Sequence, residues 1–184
     1  DPLDAGVAVG AGTMNLQSAW AAPVFHVPGE DRGRLCTIER ALPGCIMVNQ
    51  SGTRYLNEAA SYHVTGQVMA RRQAEHGDAS PSWMVFDYRY RHLFPMGPVY
   101  PLIPDWAQSG MVKTVLKKAP TIGELAVEMG VDPEALTATV TRFNTFAARG
   151  EDPDFHRGDA AYDKLYGDPR HGPNPCLRPL DVAP

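Results

Sequence analysis

Few side chains in this sequence are grouped in a way that announces chemistry. The six histidines, His26, His63, His76, His92, His156 and His171, are scattered along the chain. Cys36, Cys45 and Cys176 are odd in number and lack metal-ligand spacing, so no metal site is expected. No paired-carboxylate site and no nucleophile elbow is present. Gly6, Gly10 and Gly12 approach a dinucleotide-phosphate loop, but Asn15 stands where the third glycine belongs and no strand precedes it. No cofactor-binding residue is therefore expected in this chain. The nearest basic cluster, Arg89, Arg91 and His92, has Asp87 beside it and reads as a solvated patch rather than a nucleic-acid footprint.

The elements that position these residues are legible in part. Residues 2–12 are small and apolar and suit a short helix. Residues 35–39 and 45–49 are apolar runs around Leu42-Pro43-Gly44 and predict two strands; residues 50–53 turn the chain and 54–56 predict a third. Residues 63–76 predict a helix on the spacing of Val64, Gln67, Val68 and Arg71/Arg72, ended by Gly77. Residues 83–86 predict a buried strand. Thr121 and Glu124 form a capping box for a helix running to Met129. Asp132 and Pro133 open another, with Leu136, Val140, Phe143 and Ala147 on one stripe and Gly150 past its end. Prolines crowd positions 95–104 and 169–184, which excludes regular helix and central strand there; these segments read as irregular surface chain or, near the end, linker. The expected class is α+β, with a small mixed or antiparallel sheet and packed helices.

The chain has 184 residues, 43% hydrophobic and 21% charged. That suits one globular domain with its own core. The net charge of -4 argues against a nucleic-acid partner. No apolar run reaches the roughly 18 residues of a membrane span, and a cytoplasmic location is expected from the cysteine usage and the missing leader. The chain opens on Asp1-Pro2-Leu3 without Met and ends on Val182-Ala183-Pro184, so both termini are expected to be cuts within a longer protein.

Two stretches carry a resemblance. The first, Glu39 to Tyr62, contains Gly44-x-Ile46-x-Val48-Asn49-x-x-Gly52-x-Arg54-Tyr55-x-Asn57-Glu58. A strand brings the chain in, a glycine turn reverses it, and Arg54 and Glu58 stand four apart and can pair. This resembles the capping domain of the fumarate reductase and 3-ketosteroid dehydrogenase flavoproteins. The second, Asp152-Pro153-Asp154-Phe155-His156-Arg157-Gly158 with Tyr162-Asp163 and Tyr166-Gly167-Asp168-Pro169, resembles the steroid branch. The helix ending Val140-Thr141-Arg142-Phe143-Asn144 also matches. The likeness covers nearly the whole chain.

The resemblance implies a fold and a chemistry. Residues 1–184 would be one substrate-capping unit, with 1–22 and 172–184 connecting to an FAD-binding domain of the same protein. The parent would be an FAD-dependent enzyme introducing a ring-A (1,2) double bond into 3-ketosteroids, with FAD held outside this chain. Four residues after Glu58, where fumarate reductases carry a proton-delivering Arg, stands Tyr62, as in ketosteroid Δ1-dehydrogenases. Tyr62 is thereby expected to be the base, with adjacent His63 the runner-up. A free tyrosine titrates near ~10, so its anion needs support from its surroundings. Steroid pockets are mostly apolar, and Tyr100, Leu102 and Ile103 in the proline-stiffened segment are expected to contact substrate. A Δ4-(5α)-ketosteroid dehydrogenase, a fumarate reductase-like flavoprotein and a stand-alone binding domain remain alternatives.

Overall fold

The computed structural model of the chain describes residues 1–16 and 19–181. Helix α1, Pro2–Ala8, is capped by Asp1 and buries none of its residues. Strands β1, Val24–Phe25, and β2, Arg34–Leu35, pair antiparallel. A 3-10 turn at Glu39–Ala41 leads to β3, Cys45–Val48. Helix α2 is Tyr62–His76, followed by β4, Trp83–Phe86, and α3, Tyr88–Leu93. The later helices are α4, Gly110–Val115, α5, Ile122–Met129, α6, Pro133–Ala147, and α7, Ala161–Leu165. The fold is thus mixed helix and small antiparallel sheet, as expected from the sequence.

The centre is the β3–β4 pair, in which Ile46 stands opposite Val85 and Val48 opposite Trp83. All four β3 residues are buried, because the strand is covered on both faces. Ile46 and Val48 point into a core built with α5 and α6, where Leu136, Val140, Phe143 and Ala147 form the buried stripe. Cys45 and Met47 point the other way, Cys45 toward Tyr90, Phe94 and Val112 and Met47 toward Tyr55 and Leu56.

Helices α5 and α6 form where the sequence places them. The Thr121 hydroxyl accepts from the Glu124 amide at 3.2 Å, and Gly130 leaves α5 at φ +73°. Asp132 accepts from the Glu134 amide at 2.9 Å to open α6.

Three expectations differ. The segment expected as a strand over 35–39 gives only Arg34–Leu35, and the chain then tightens into the 3-10 turn. Residues 54–56 form no strand; the Arg54–Glu58 contact curls the backbone, so Tyr55 and Leu56 pack inward without a ladder. The proline-rich end is irregular, yet it is no mere surface chain: Cys176, Leu177 and Leu180 are core residues. Its Arg178 crosses over Gly44, φ +93°, to chelate Asp87 at 2.9 and 2.8 Å. A side chain at position 44 would collide with that guanidinium. Residues 17, 18 and 182–184 of the expected connections lie outside the described residues.

Candidate functional site

Tyr62 is the first residue of α2, half-buried, and Ser61 caps the helix by accepting from the Val64 amide at 3.3 Å. The positive end of the helix dipole therefore lies beside Tyr62. The chain leading to it is held by Arg40. That buried guanidinium donates to the carbonyls of Cys36 at 3.0 Å, Glu58 at 2.5 Å and Ala60 at 2.7 Å. Trp20 stacks on Tyr62 with ring centroids 6.2 Å apart and planes within 8°. The close approach needs Gly66, since a Cβ there would meet Ala21 at 2.7 Å. His63 is also half-buried, and its Nδ1 accepts from the Ala21 amide at 3.4 Å.

Below this segment lies a buried charge network. Arg54 chelates Glu58 at 2.8 and 2.7 Å and Asp152 at 3.0 and 2.8 Å. Its guanidinium sits between the rings of Phe143 and Phe155, 4.9 and 5.1 Å from their centroids. Arg157, fully buried, donates to Glu58 at 3.3 Å and to the carbonyls of Arg40, Leu42 and Cys45 at 3.0, 2.9 and 2.7 Å. Glu58 also accepts from the Met47 amide at 3.0 Å. Burial alone would raise the Glu58 carboxyl; the charges of Arg54 and Arg157 outweigh it and hold the pKa below its ordinary value. Asp152 follows the same balance, burial opposed by Arg54.

The expected site residues fall in two places. Tyr62 lines a crevice of about 170 Å³ together with Ile38, Ala41, Ala59, Tyr162 and Tyr166. Leu102 and Ile103 line a separate and larger groove of about 1160 Å³ between β4, α3 and α5. Tyr100 lines neither. Leu102 is 82% exposed at φ +65°, an unusual backbone state for a bulky residue. The sequence alone does not mark out Tyr162 and Tyr166 as site residues. The signal was present in the Tyr162-Asp163-x-x-Tyr166 spacing, one helical turn apart, but nothing local says which face of α7 meets Tyr62.

Among the described residues no His, Cys, Asp and Glu cluster fits a metal ion. No strand–glycine–helix cradle for a dinucleotide pyrophosphate forms at Gly6, Gly10 and Gly12 either. Helix α1 leads into Gly10 rather than away from it, and the Asp1 carboxylate already occupies its N-terminal amides at 2.7 and 3.0 Å. The segment around Gly6, Gly10 and Gly12 therefore does not fit the phosphates of FAD.

The family described as FAD binding domain matches residues 1–184. The chain belongs to that FAD binding domain family. Within this family context it is 39% identical over 192 residues to the 3-oxosteroid 1-dehydrogenase of Mycobacterium tuberculosis (strain ATCC 25618 / H37Rv), covering 100% of this chain and 33% of that protein. It is 38% identical over 184 residues to the 4-oxocyclohexanecarboxylate 2-dehydrogenase of Sinomonas cyclohexanicum, covering 96% of this chain and 31% of that one. The fold matches a crystal structure of the 3-ketosteroid delta1-dehydrogenase from Sterolibacterium denitrificans, solved in complex with 1,4-androstadiene-3,17-dione. That match has a TM-score of 0.85 and 38% identity, over 100% of this chain and 33% of the other. The chain spans about a third of the length of the curated relatives it matches. The likeness to ketosteroid dehydrogenase flavoproteins read from the two motifs is borne out in sequence and in fold. No helix among the described residues is long and apolar enough to cross a membrane.

Proposed function

We propose that this chain is the substrate-capping part of an FAD-dependent 3-ketosteroid dehydrogenase that introduces a 1,2 double bond into ring A. The observation that carries the reading is Tyr62, open to a crevice at the positive end of α2, in a chain whose whole length matches the steroid-complexed enzyme. FAD supplies the two-electron acceptor and is assigned to a partner domain of the same protein, a reading supported by the occupied amides of α1 beside Gly6, Gly10 and Gly12. Residues 1–184 act as one cap, and 1–22 and 172–184 join it to that domain. Exposed Met14, Leu16 and Trp20 support the first joining surface.

The local chemistry is a proton removal. A C–H bond beside the ketone is acidified when the carbonyl is polarised. Tyr62, as its phenolate, takes that proton as general base and releases it to solvent, while the hydride on the neighbouring carbon would pass to FAD so that the double bond forms between the two carbons. Arg40 fixes the backbone that carries Tyr62, and the helix dipole favours negative charge there. Tyr100, Leu102 and Ile103 provide a second, apolar contact surface for the flat substrate. The outward Leu102, held at positive φ, supports this assignment because strained backbone persists where a side chain is wanted in one place. A cytoplasmic location is supported by three buried cysteines, all free.

A second reading has an observation of its own. The Sinomonas relative is named for a single-ring ketone, so the substrate is alternatively a 4-oxocyclohexane carboxylate. Assay of the full-length protein with a 3-ketosteroid, a 5α-reduced steroid, fumarate and 4-oxocyclohexanecarboxylate separates the readings. Tyr62→Phe is expected to cut turnover on the preferred ketone by about 10²- to 10⁴-fold while leaving the flavin spectrum intact. Wild-type turnover in that variant rejects Tyr62 as base.

A further inference from the structure

We propose that Tyr162 and Tyr166 form an aromatic wall of the substrate site, against which the ketone-bearing ring lies when it meets Tyr62. The inference rests on Tyr62 being the reacting residue. Both rings line the Tyr62 crevice, although they stand a hundred residues later in the chain. They meet edge to face, with centroids 5.4 Å apart and planes at 64°. They are 42% and 38% exposed, so part of each ring stays open to a partner. A flat apolar ring stacks on such a surface with an energy beyond its buried area.

The wall is fixed in place rather than draped. Tyr162 stands in α7, and Tyr166, four positions later, is the residue that ends it. Between them Asp163 turns inward and is buried. Its carboxylate accepts from Asn57 Nδ2 and from the Gly158 amide, both at 2.9 Å. Asn57 stands directly before Glu58 on the segment that Arg40 clamps ahead of Tyr62. One carboxylate thus sets the two tyrosines relative to the reacting one. Burial, then the neighbouring Tyr166 and Tyr62, push the Tyr162 phenol upward; it stays neutral, as an apolar ligand requires.

Size fits a divided site. Sites for small molecules run to roughly 300–1,000 Å³, and the crevice offers about 170 Å³. It holds the reacting end of a cyclic ketone, and the remainder of the molecule lies beyond it.

The test uses the full-length flavoprotein and two readouts. Equilibrium dialysis gives the Kd for 1,4-androstadiene-3,17-dione, and substrate-dependent flavin bleaching gives KM and kcat. Tyr162→Ala and Tyr166→Ala are expected to raise Kd and KM about tenfold each, with kcat within about twofold of wild type. Tyr162→Phe is expected to restore wild-type values, because the ring face and not the hydroxyl makes the contact. Both positions are half-exposed, so thermal unfolding is expected to be unchanged. Unaltered Kd in both alanine variants overturns the wall, as does Tyr162→Phe as impaired as Tyr162→Ala. The dialysis arm is independent of turnover. If Tyr62→Phe keeps full activity, the base assignment fails while the Kd comparison still decides the wall.

Discussion

Arg54 and Asp152 stand 98 positions apart and share a two-pronged ion pair at 3.0 and 2.8 Å. Glu58 completes the triad from the other side of the guanidinium. The contact joins the segment that leads to Tyr62 with the segment that leads to Tyr162, the two halves of the crevice. Charges this deep are costly to strip of one partner, since the survivors stay buried and uncompensated.

Glu58→Gln is therefore expected to destabilise the chain by about 3–5 kcal/mol, measured by chemical denaturation. Arg157 would keep its charge and lose its carboxylate partner, and Arg54 would be left with Asp152. A loss below about 1 kcal/mol, the range of exposed pairs, would contradict the role given to this carboxylate.

The same network sets an acid limit. Glu58 and Asp152 have folded-state pKa values below the ordinary 4.5 and 3.8. Lowered carboxylates contribute stability that is full above the ordinary pKa and lost as pH falls through the folded one. The melting temperature is expected to fall as pH drops from about 5 to about 2. Glu58→Gln should be flatter over that window. A variant that parallels wild type there would show that other carboxylates control acid unfolding.

Thiol reactivity offers a separate check. Cys36, Cys45 and Cys176 are buried, and desolvation pushes the Cys45 and Cys176 thiols up to about 11 and Cys36 higher still. The reactive thiolate is scarce at neutral pH. The folded chain is expected to resist alkylation and to take up three equivalents only on unfolding. Rapid labelling of one thiol in the native state would disprove that burial.

Leu102 and Ile103 separate packing from contact. Leu102→Ala and Ile103→Ala in the full-length protein are expected to raise the ketone KM several-fold with little change in melting temperature, since both side chains reach solvent. Lower stability with an unchanged KM would make them ordinary groove packing and remove them from the site.

Cofactor retention tests the division of labour. The 184-residue chain alone is expected to purify colourless and to gain no stoichiometric flavin band on addition of FAD, because no cradle for the pyrophosphate forms at Gly10. A bound flavin at one equivalent would overturn this.

What could be read in the sequence was what local chemistry decides. The capping residues Thr121 and Asp132 and the stripe from Leu136 to Ala147 determine α5 and α6 within one or two turns of chain. The strand at 83–86 follows from side-chain type. Arg54 and Glu58 are legible as a pair because four residues separate them. Asp152 and Arg157 complete that pair only after the chain has folded back, so no spacing rule reveals them. The same holds for Tyr162 and Tyr166 beside Tyr62. The strand expected at 54–56 fails because the ion pairs of Arg54 outweigh β propensity there. The tail around Leu177 enters the core despite its prolines, since irregular backbone is excluded from a sheet but not from packing. A small sheet is legible in kind; its division into two two-stranded pairs, and the partnership of β3 with β4 across α2, are not.

The outer edge of β3 illustrates how side chains finish this small sheet. Along that edge the Met47 amide gives its hydrogen bond to Glu58, and the Cys45 carbonyl receives one from Arg157. Each is a position where a third strand would otherwise pair. A bare edge of that kind is a template on which another chain can add a strand and begin to aggregate. Here the template is already filled by a carboxylate and a guanidinium that are bound to each other. The network that fastens the crevice thus also makes β3 unavailable to intruding chains, and a variant that opens the Glu58–Arg157 contact would expose a sticky strand as well as lose a fastening.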